Sequence, residues 1–463
     1  MLLLRMKLII SPILLVLICV HVAVGVFNPY PKIKTLPIPE SAGKPLILTP
    51  LIESGKIAEA RKESRVLPLF GDRGIESYSG YFTVNKNFNS NLFFWFFPSQ
   101  GSISDDPVIL WLQGGPGASS LYGLFEEHGP FIVDKSGSKL LPRKYSWIKQ
   151  HNVIYIDNPV GTGYSFTDGG YAKNETAVGN DLYSAVIQFF KLFPELQSNP
   201  FFVTGESYAG KYVPALSYTI HTKNPNSTIK INLNGLAMGN GLSDPLHMLK
   251  YADYVYQLGL IDSNTCNQLH VQEDLGQKYM ENKQWAKAYE VFEDILAKIG
   301  GLTGFSSYYN YLYANGESFG GDFSSYIQQS HVREAIHVGN AEFHDDRTVG
   351  RNLMEDFMQS VKPWIEELLE HYRVLVYNGQ LDIIVAYPLT VSYLNTLHWS
   401  SAAEYKIASR FPWHVGKDIA GYVKTAGNLT EVLVRDAGHM VPSDQPKWAL
   451  DLIGRFTSNK PFH

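Results

Sequence analysis

Cysteine is almost absent from this chain of 463 residues, which contains only two, Cys19 and Cys266. Cys19 lies in an apolar N-terminal segment that we expect to be removed, so the mature chain keeps one thiol and can form no internal disulfide. This excludes the small secreted domains that depend on several disulfides for their stability. Cys266 is either a buried, inert thiol or a site for pairing with another chain.

Three further absences narrow the function. The formal net charge is −5 and no basic stripe appears, so nucleic acid is not an expected partner. No H-E-x-x-H motif or cluster of Cys and His is present, so we predict neither a metal nor a cofactor and disfavour a metalloenzyme. No apolar run after the N-terminal one is long enough to span a bilayer.

The N-terminus predicts a secretory signal peptide over residues 1–25. Arg5 and Lys7 precede an apolar run from Leu8 to about Val24, and Gly25 is small enough for a cleavage site. A membrane anchor is the alternative, although Pro12 and His21 interrupt the run. The sequons at Asn174, Asn226 and Asn428 suit a glycosylated protein of the secretory pathway. The sequence does not decide between secretion and lysosomal delivery.

The order of segments predicts an α/β fold. Residues 26–60 are rich in proline and suggest an extended arm, whose removal as a propeptide is left open. Short apolar segments typical of buried strands then alternate with helical patterns. The strand segments are SYSGYFTVN, NLFFWFF, PVILWL, NVIYID, PFFVTG, NLNGLAMG, RVLVYNG and EVLVRDAG. We divide the rest into a first core part (61–244), a mainly helical cap insertion (245–351) and a second core part (352–463).

Ser207 is the predicted nucleophile. It lies in TGESYAG, directly after the strand segment FFVTG and before a predicted helix. A strand, a tight G-x-S-x-G turn and a helix form the nucleophile elbow of the α/β-hydrolase fold, in which a mainly parallel sheet is flanked by helices. The alternative is a glycine-flanked serine that only caps a helix.

The partners of the nucleophile follow from the chain order serine, acid, histidine. RVLVYNGQLD places Asp382 after a late strand, and EVLVRDAGHMVP places His439 after the next one. We expect His439 to take the proton of Ser207 and Asp382 to hold the imidazole tautomer. Asp436 is the rival acid, but it lies on the strand of the histidine itself.

Two backbone N–H groups should form the oxyanion hole. Tyr208 follows the nucleophile, and the glycine loop of LWLQGGPG supplies the second donor, for which we choose Gly115. The alternative is a simple tight turn in that loop.

Several long blocks resemble those of the serine carboxypeptidases, and the resemblance is strongest to the vitellogenic-like branch. The blocks are WLQGGPG, DNPVGTGYS, TGESYAGKYVP, YNGQLD and GHMVPSDQP, in the order in which the family has them. The resemblance implies the same triad and oxyanion hole, and it implies hydrolysis of C-terminal peptide bonds. It also implies binding of the substrate carboxylate by five residues. These are Trp111, Gln113, Gly114, Glu127 and Glu206.

The resemblance explains why an acid, Glu206, precedes the nucleophile. A protonated carboxyl donates a hydrogen bond to a substrate carboxylate, and two clustered acids raise each other's pKa. Glu206 and Glu127 would therefore bind a chain end at acidic pH. The alternative for Glu206 is a solvated acid at a helix start. The chain departs from the family at Gln113, where Asn is common, and in lacking disulfides around the cap.

Two other functions on this scaffold remain alternatives. One is an acyltransferase, in which an alcohol or amine intercepts the acyl-enzyme. The other is a non-catalytic binding or protective protein, which should have a damaged triad. The preferred C-terminal side chain and the oligomeric state, including a possible homodimer, are not determined by the sequence.

Overall fold

The computed structural model describes residues 35–39, 42–69, 71–316 and 322–462. The predicted signal peptide and the first part of the proline-rich arm lie outside the described residues. Within the arm, two short helices are present, α1 (Thr49–Glu53) and α2 (Ile57–Glu63). The arm is therefore not extended throughout, and α2 runs across the predicted boundary at residue 60.

A ten-stranded sheet forms the centre of the described chain. Its order is β1-β2-β6-β3-β7-β8-β9-β12-β11-β10. The strands are β1 (Tyr78–Asn85), β2 (Ser90–Phe97), β3 (Val108–Leu112), β6 (Asn152–Ile156), β7 (Phe201–Glu206), β8 (Leu233–Gly239), β9 (Arg373–Gly379), β10 (Phe411–Val415), β11 (Asp418–Ala426) and β12 (Leu429–Val434). A separate hairpin joins β4 (Phe131–Val133) to β5 (Leu140–Pro142).

The inner strands are parallel and the outer ones antiparallel. The parallel set runs from β6 through β3, β7, β8 and β9 to β12, and β1–β2 and β11–β10 extend it on either side. This arrangement confirms the predicted α/β-hydrolase class. All eight predicted strand segments form strands of this sheet.

Helices cover both faces of the sheet, as continuous apolar strands require. Successive residues of β3 face opposite sides, so Leu110 belongs to one apolar core while Ile109 and Trp111 belong to the other. The first core contains helices α3 (Glu175–Leu192) and α4 (Ala209–Lys223), and the second contains α16 (Pro446–Thr457).

The predicted cap segment is mainly helical where the structure describes it, and those residues contain no strand that belongs to a sheet. Its helices are α5 (Pro245–Met248), α6 (Tyr251–Gln257), α7 (Ser263–Glu281), α8 (Trp285–Thr303), α9 (Phe323–Ile327), α10 (Ser330–Ala335) and α11 (Arg347–Phe357). Because α11 continues past residue 351, the boundary predicted there falls inside a helix. The division into core and cap stays a prediction.

The last part of the chain contains one feature that was not predicted. The antiparallel hairpin β10–β11 extends the sheet beyond β12. Ser443 lies in a short helix, α15 (Val441–Asp444), and Gln445 occupies the N-cap position of α16 without a side-chain capping bond. The remaining helices of this part are α12 (Lys362–Leu369), α13 (Tyr387–Leu394) and α14 (Ala402–Ile407).

Candidate active site

Ser207 occupies a strained turn between β7 and α4. Its φ is +62°, in the left-handed region that serine rarely adopts. Its N–H donates to the carbonyl of Gly239 at 3.0 Å, and its carbonyl accepts from the N–H of Leu242 at 2.9 Å. These bonds to the end of β8 hold the strained backbone and place the buried serine at the carboxyl edge of the sheet.

Two glycines allow this turn to approach β3 closely. A Cβ on Gly205 would lie 2.4 Å from the carbonyl oxygen of Leu112. A Cβ on Gly114 would lie 2.5 Å from the backbone nitrogen of Tyr208 and 2.7 Å from the carbonyl oxygen of Glu206. The loop after β3 therefore lies directly against the turn that carries Ser207, the predicted nucleophile.

The structure brings His439 and Asp382 together. The Nδ1 atom of His439 lies 2.8 Å from Oδ2 of Asp382, and both side chains are fully buried. Oδ1 of Asp382 accepts from the N–H of Ile384 at 2.8 Å. The other ring nitrogen of His439, Nε2, is buried without a hydrogen bond to any described residue.

The rival acid Asp436 lies elsewhere. Its side chain and its backbone carbonyl both accept from Nε2 of Gln445. Asp382, rather than Asp436, is therefore the acid that the structure gives to His439.

Asn240 is a fourth member of this group that the sequence reasoning missed. Its Nδ2 donates to Oδ2 of Asp382 at 2.7 Å, and its Oδ1 accepts from the N–H of Gly379 at 3.1 Å. Asn240 is fully buried and has a φ of +43°. It follows β8 directly, at the carboxyl edge where functional residues of parallel sheets collect, and that position was the available signal.

The predicted cap supports the histidine loop. The N–H of His439 donates to the carbonyl of Tyr309 at 2.6 Å, and the N–H of Ile383 donates to the carbonyl of Tyr308 at 2.9 Å. The hydroxyl of Tyr254, on α6, donates to the carbonyl of Asp382 at 3.0 Å. The insertion thus forms hydrogen bonds with the backbone of Asp382, of the residue after it and of His439.

The loop that carries one predicted oxyanion donor, Gly115, packs against the other, Tyr208. Gly115 has a φ of +109°, which only glycine adopts readily, and it follows the residue that packs on the Tyr208 nitrogen. The loop that carries it is anchored by Asp157, whose Oδ1 accepts from the N–H of Ser120 at 2.9 Å and from the hydroxyl of Ser119 at 2.6 Å. Asp157 belongs to a family block, but the sequence assigned it no role.

Four of the five predicted carboxylate-binding residues form one buried network. The amide nitrogen of Gln113 donates to Oε1 of Glu127 at 2.9 Å and to Oε1 of Glu206 at 2.7 Å. Its oxygen accepts from Nε1 of Trp111 at 2.8 Å. Gln113 therefore bridges the two acids, and the fifth residue, Gly114, follows it in the loop.

Glu127 lies on a short π-helical turn, Gly123–Glu127, and its side chain is fully buried. Burial raises the pKa of Glu127 to about 7, and its hydrogen bonds with Gln113 and Glu206 oppose the rise. The sequence argument attributed the rise to the clustering of two acids. The larger cause is removal of the carboxyl from water, which disfavours its charged form.

A buried ion pair fixes the helix that follows Ser207. Nζ of Lys211, on α4, donates to Oδ2 of Asp356 at 2.6 Å, and the side chains are 0% and 7% exposed. Asp356 belongs to α11, the helix that crosses the predicted boundary between the cap and the second core part, so the pair joins α4 to that helix. Neither residue was singled out from the sequence.

Comparison with known proteins identifies the family of the chain. The family model described as serine carboxypeptidase matches residues 68–459. The chain belongs to the serine carboxypeptidase family. Its fold and its blocks are thus those of a serine-type peptide hydrolase, and neither the acyltransferase nor the non-catalytic alternative is favoured.

Individual members of the family are similar over nearly the whole chain. The chain is 54% identical to a venom serine carboxypeptidase of Apis mellifera, covering 95% of this chain and 96% of that protein. It is 47% identical to the vitellogenic carboxypeptidase of Aedes aegypti, covering 93% and 94%. Kex1(delta)p, a prohormone-processing carboxypeptidase from Saccharomyces cerevisiae, superposes with a TM-score of 0.76 at 25% identity, covering 86% and 96%.

The three sequons of this serine carboxypeptidase differ in their surroundings. Asn174 and Asn226 are exposed, whereas Nδ2 of Asn428 donates to the carbonyl of Leu369 at 2.8 Å. A glycan on Asn428 would have to share or replace that bond. Among the described residues, no helix combines the length and the apolar character that crossing a membrane requires.

Proposed function

We propose that this serine carboxypeptidase is an acid-active exopeptidase that removes single residues from peptide C-termini through an acyl-enzyme. The observation that supports it most directly is the buried network in which Gln113 joins Glu127 and Glu206. Glu206 is the residue next to Ser207, so a group that binds a chain end here holds the last peptide bond at the nucleophile.

In this proposal the triad carries out the two proton transfers. Ser207 Oγ attacks the carbonyl carbon, and His439 Nε2 takes the hydroxyl proton and returns it to the leaving amine. Asp382 accepts a hydrogen bond from His439 Nδ1 and stabilises the imidazolium. Water then attacks the acyl carbon as His439 takes its proton, and His439 returns that proton to Ser207 Oγ as the acyl–oxygen bond to the serine breaks.

The oxyanion of each tetrahedral intermediate is bound by backbone N–H groups of Gly115 and Tyr208. Because these donors are fixed by a strained turn and an anchored loop, they need no reorganisation when charge develops. Loss of one such donor typically lowers kcat by about 100- to 1,000-fold.

The network around Gln113 binds the terminal carboxylate of the substrate. A protonated Glu127 or Glu206 donates a hydrogen bond to that anion, whereas two ionised carboxylates would repel it. The raised pKa of Glu127, about 7, keeps its carboxyl protonated at acidic pH. Binding of the chain end is therefore strong in acid and weakens as the pH rises through neutrality.

The test compares a free peptide with its C-terminal amide at about pH 5, followed by mass spectrometry. Stepwise loss of residues from the free acid, absent for the amide and absent in Ser207→Ala, supports the proposal. Equal cleavage of both peptides would contradict the role of the Gln113 network. Intact peptides at every pH would contradict the activity.

The remaining proposals concern the location, glycosylation, oligomeric state and processing of the protein. We place the protein in the secretory pathway, secreted or lysosomal, because it has a signal-like N-terminus and relatives named for venom and vitellogenesis. Asn174 and Asn226 are the most accessible glycosylation sites. A homodimer remains to be tested by light scattering, and mapping of the mature N-terminus would show whether residues 26–60 are removed.

A further inference from the structure

A compact group of metal-ligating side chains lies on helices α6 and α7 of the insertion. Cys266 and His270 are four residues apart on α7, so both lie on one side of that helix. Asp253 reaches them from α6. Nε2 of His270 lies 3.0 Å from Oδ1 of Asp253 and 3.7 Å from Sγ of Cys266, and Sγ lies 4.0 Å from the same carboxylate oxygen.

These separations suit a tetrahedral metal ion. Zinc binds nitrogen and oxygen at about 2.0–2.2 Å and sulfur at about 2.3 Å, so tetrahedral ligand atoms lie roughly 3.3–3.6 Å apart. The three observed distances lie within about half an ångström of that range. Cys266 is buried, whereas the Asp253 side chain is 81% exposed, so an ion can enter from solvent and water can complete the coordination.

The orientation of His270 is set by a buried acid. Its Nδ1 lies 3.2 Å from Oε2 of Glu273, whose other oxygen accepts from the N–H of Ala252 at 2.7 Å. A proton held on Nδ1 by Glu273 leaves the Nε2 lone pair directed at Cys266 and Asp253. A carboxylate behind a histidine ligand is the usual outer partner of a protein zinc site.

The group also carries an excess of negative charge. The carboxylates of Asp253 and Glu273 both lie beside the Cys266 and His270 side chains, and a bound cation would offset their charge.

We propose that Cys266, His270 and Asp253 bind a zinc ion, with water as the fourth ligand and Glu273 orienting the histidine. Binding releases the thiol proton to solvent and forms a sulfur–zinc bond, with no change of oxidation state. The ion joins α6 to α7. Since Tyr254 of α6 contacts the backbone of Asp382, zinc would stabilise the insertion beside the catalytic acid.

The chain offers a matched control in a second cluster. Ligand atoms of His221, Glu367 and His371 also lie within 4.8 Å of one another, but the cluster contains no thiol. Metal bound there gives no sulfur charge-transfer absorption, so spectroscopy separates the two sites.

The experiment titrates the metal-free mature protein with Co²⁺ at about pH 7.5. We expect an ultraviolet thiolate-to-cobalt charge-transfer band that saturates at one equivalent and disappears when Zn²⁺ is added. Cys266→Ser should abolish the band, and Glu273→Gln should keep it while weakening affinity by about 10- to 100-fold. His371→Gln should leave the band unchanged.

A second measurement follows thermal stability with Zn²⁺. At free zinc about 100 times its Kd, the melting temperature should rise by about 3 °C, and this rise should be lost in Cys266→Ser and His270→Gln. If Cys266→Ser does not fold, His270→Gln and Asp253→Asn, which change more exposed groups, give the same comparison. The absence of the charge-transfer band in the wild-type protein, or equal zinc affinity in wild type and these variants, would overturn the proposal.

Discussion

Replacing Glu127 by glutamine should remove the alkaline loss of carboxypeptidase activity. Glutamine keeps the hydrogen bond from the Gln113 amide through its own oxygen, and it offers an N–H donor to the substrate at every pH. The wild-type carboxyl offers a donor only when protonated. The variant therefore tests whether substrate binding depends on the proton of Glu127, and it leaves the shape of the site nearly unchanged.

The magnitude follows from the raised pKa of Glu127. With a pKa of about 7 rather than the ordinary 4.5, ionisation in the folded protein costs about 3 kcal/mol more than in water. The proton is lost as pH rises through 7, so the protonated fraction falls about tenfold between pH 6 and pH 8. The free energy of unfolding changes in the same direction. Because the pKa of Glu127 is higher in the folded protein than in the unfolded chain, this carboxyl adds stability that is fully present below pH 4.5 and is lost as pH rises through 7.

The assay is the ratio of kcat/KM for a free-acid peptide to kcat/KM for a small neutral ester, from about pH 5 to pH 8.5. Both substrates need Ser207 and His439, so the ratio removes the pH dependence of the triad. In the wild type the ratio should fall about tenfold between pH 6 and pH 8. In Glu127→Gln it should stay nearly level.

Glu126 provides the matched control. It is the neighbouring buried acid, burial raises its pKa to about 8, and the charges that act on it are those of Arg143, Glu127 and Asp322. Glu126→Gln should therefore keep the wild-type fall in the ratio. A Glu127→Gln profile that falls in parallel with the wild type would refute the reasoning.

Three further substitutions test the support of the site. Asn240→Ala should lower kcat by about 10- to 150-fold with little change in KM, because the charged Asp382 loses a hydrogen bond; steady-state kinetics measure both. Asp356→Ala should lower the free energy of unfolding by about 3–5 kcal/mol in urea titrations, since it leaves Lys211 charged and buried. Gly114→Ala should abolish peptide and ester turnover, because its methyl collides with the nucleophile turn.

Each of these outcomes has its own control. The exposed pair of Lys86 with Glu53 should contribute at most about 1 kcal/mol, so Lys86→Ala serves as the reference for Asp356→Ala. A Gly114→Ala enzyme with wild-type turnover would contradict the close approach of the two loops. An Asn240→Ala enzyme that changes only KM would contradict an action through Asp382.

The inner sheet could be predicted because its strands are buried on both faces. Segments such as VILWL (108–112) and VLVY (374–377) are continuous apolar runs, which are typical of strands between two helical layers. The hairpin β10–β11 was missed because its residues are half exposed and polar on one face. The sequence signal for the turn was Gly416, which lies between the two strands. In the structure it has a φ of +67°, a value that favours glycine.

The proposed reactive residues could be selected from the sequence because each follows a strand in a fixed chain order. Ser207, Asp382 and His439 needed only the strand assignment and that order. Asn240 also follows a strand, but its contact with Asp382, like the pairing of Lys211 with Asp356, could not be found in this way. The partners in each contact lie more than a hundred residues apart in the chain, and local patterns carry no information on such contacts.

The zinc ligands illustrate the same limit. The sequence argument looked for several Cys and His close together and found none. Here one cysteine, one histidine a helical turn later and one aspartate from the preceding helix meet only when α6 packs on α7.

The central claim is that the Gln113 network binds the chain end of the substrate. The most direct measurement is a crystal structure of Ser207→Ala with a bound free-acid peptide at about pH 5. The account predicts the terminal carboxylate within hydrogen-bond distance of Glu127 or Glu206 and the last peptide carbonyl beside the Gly115 and Tyr208 nitrogens. A terminal carboxylate bound away from both acids would contradict it.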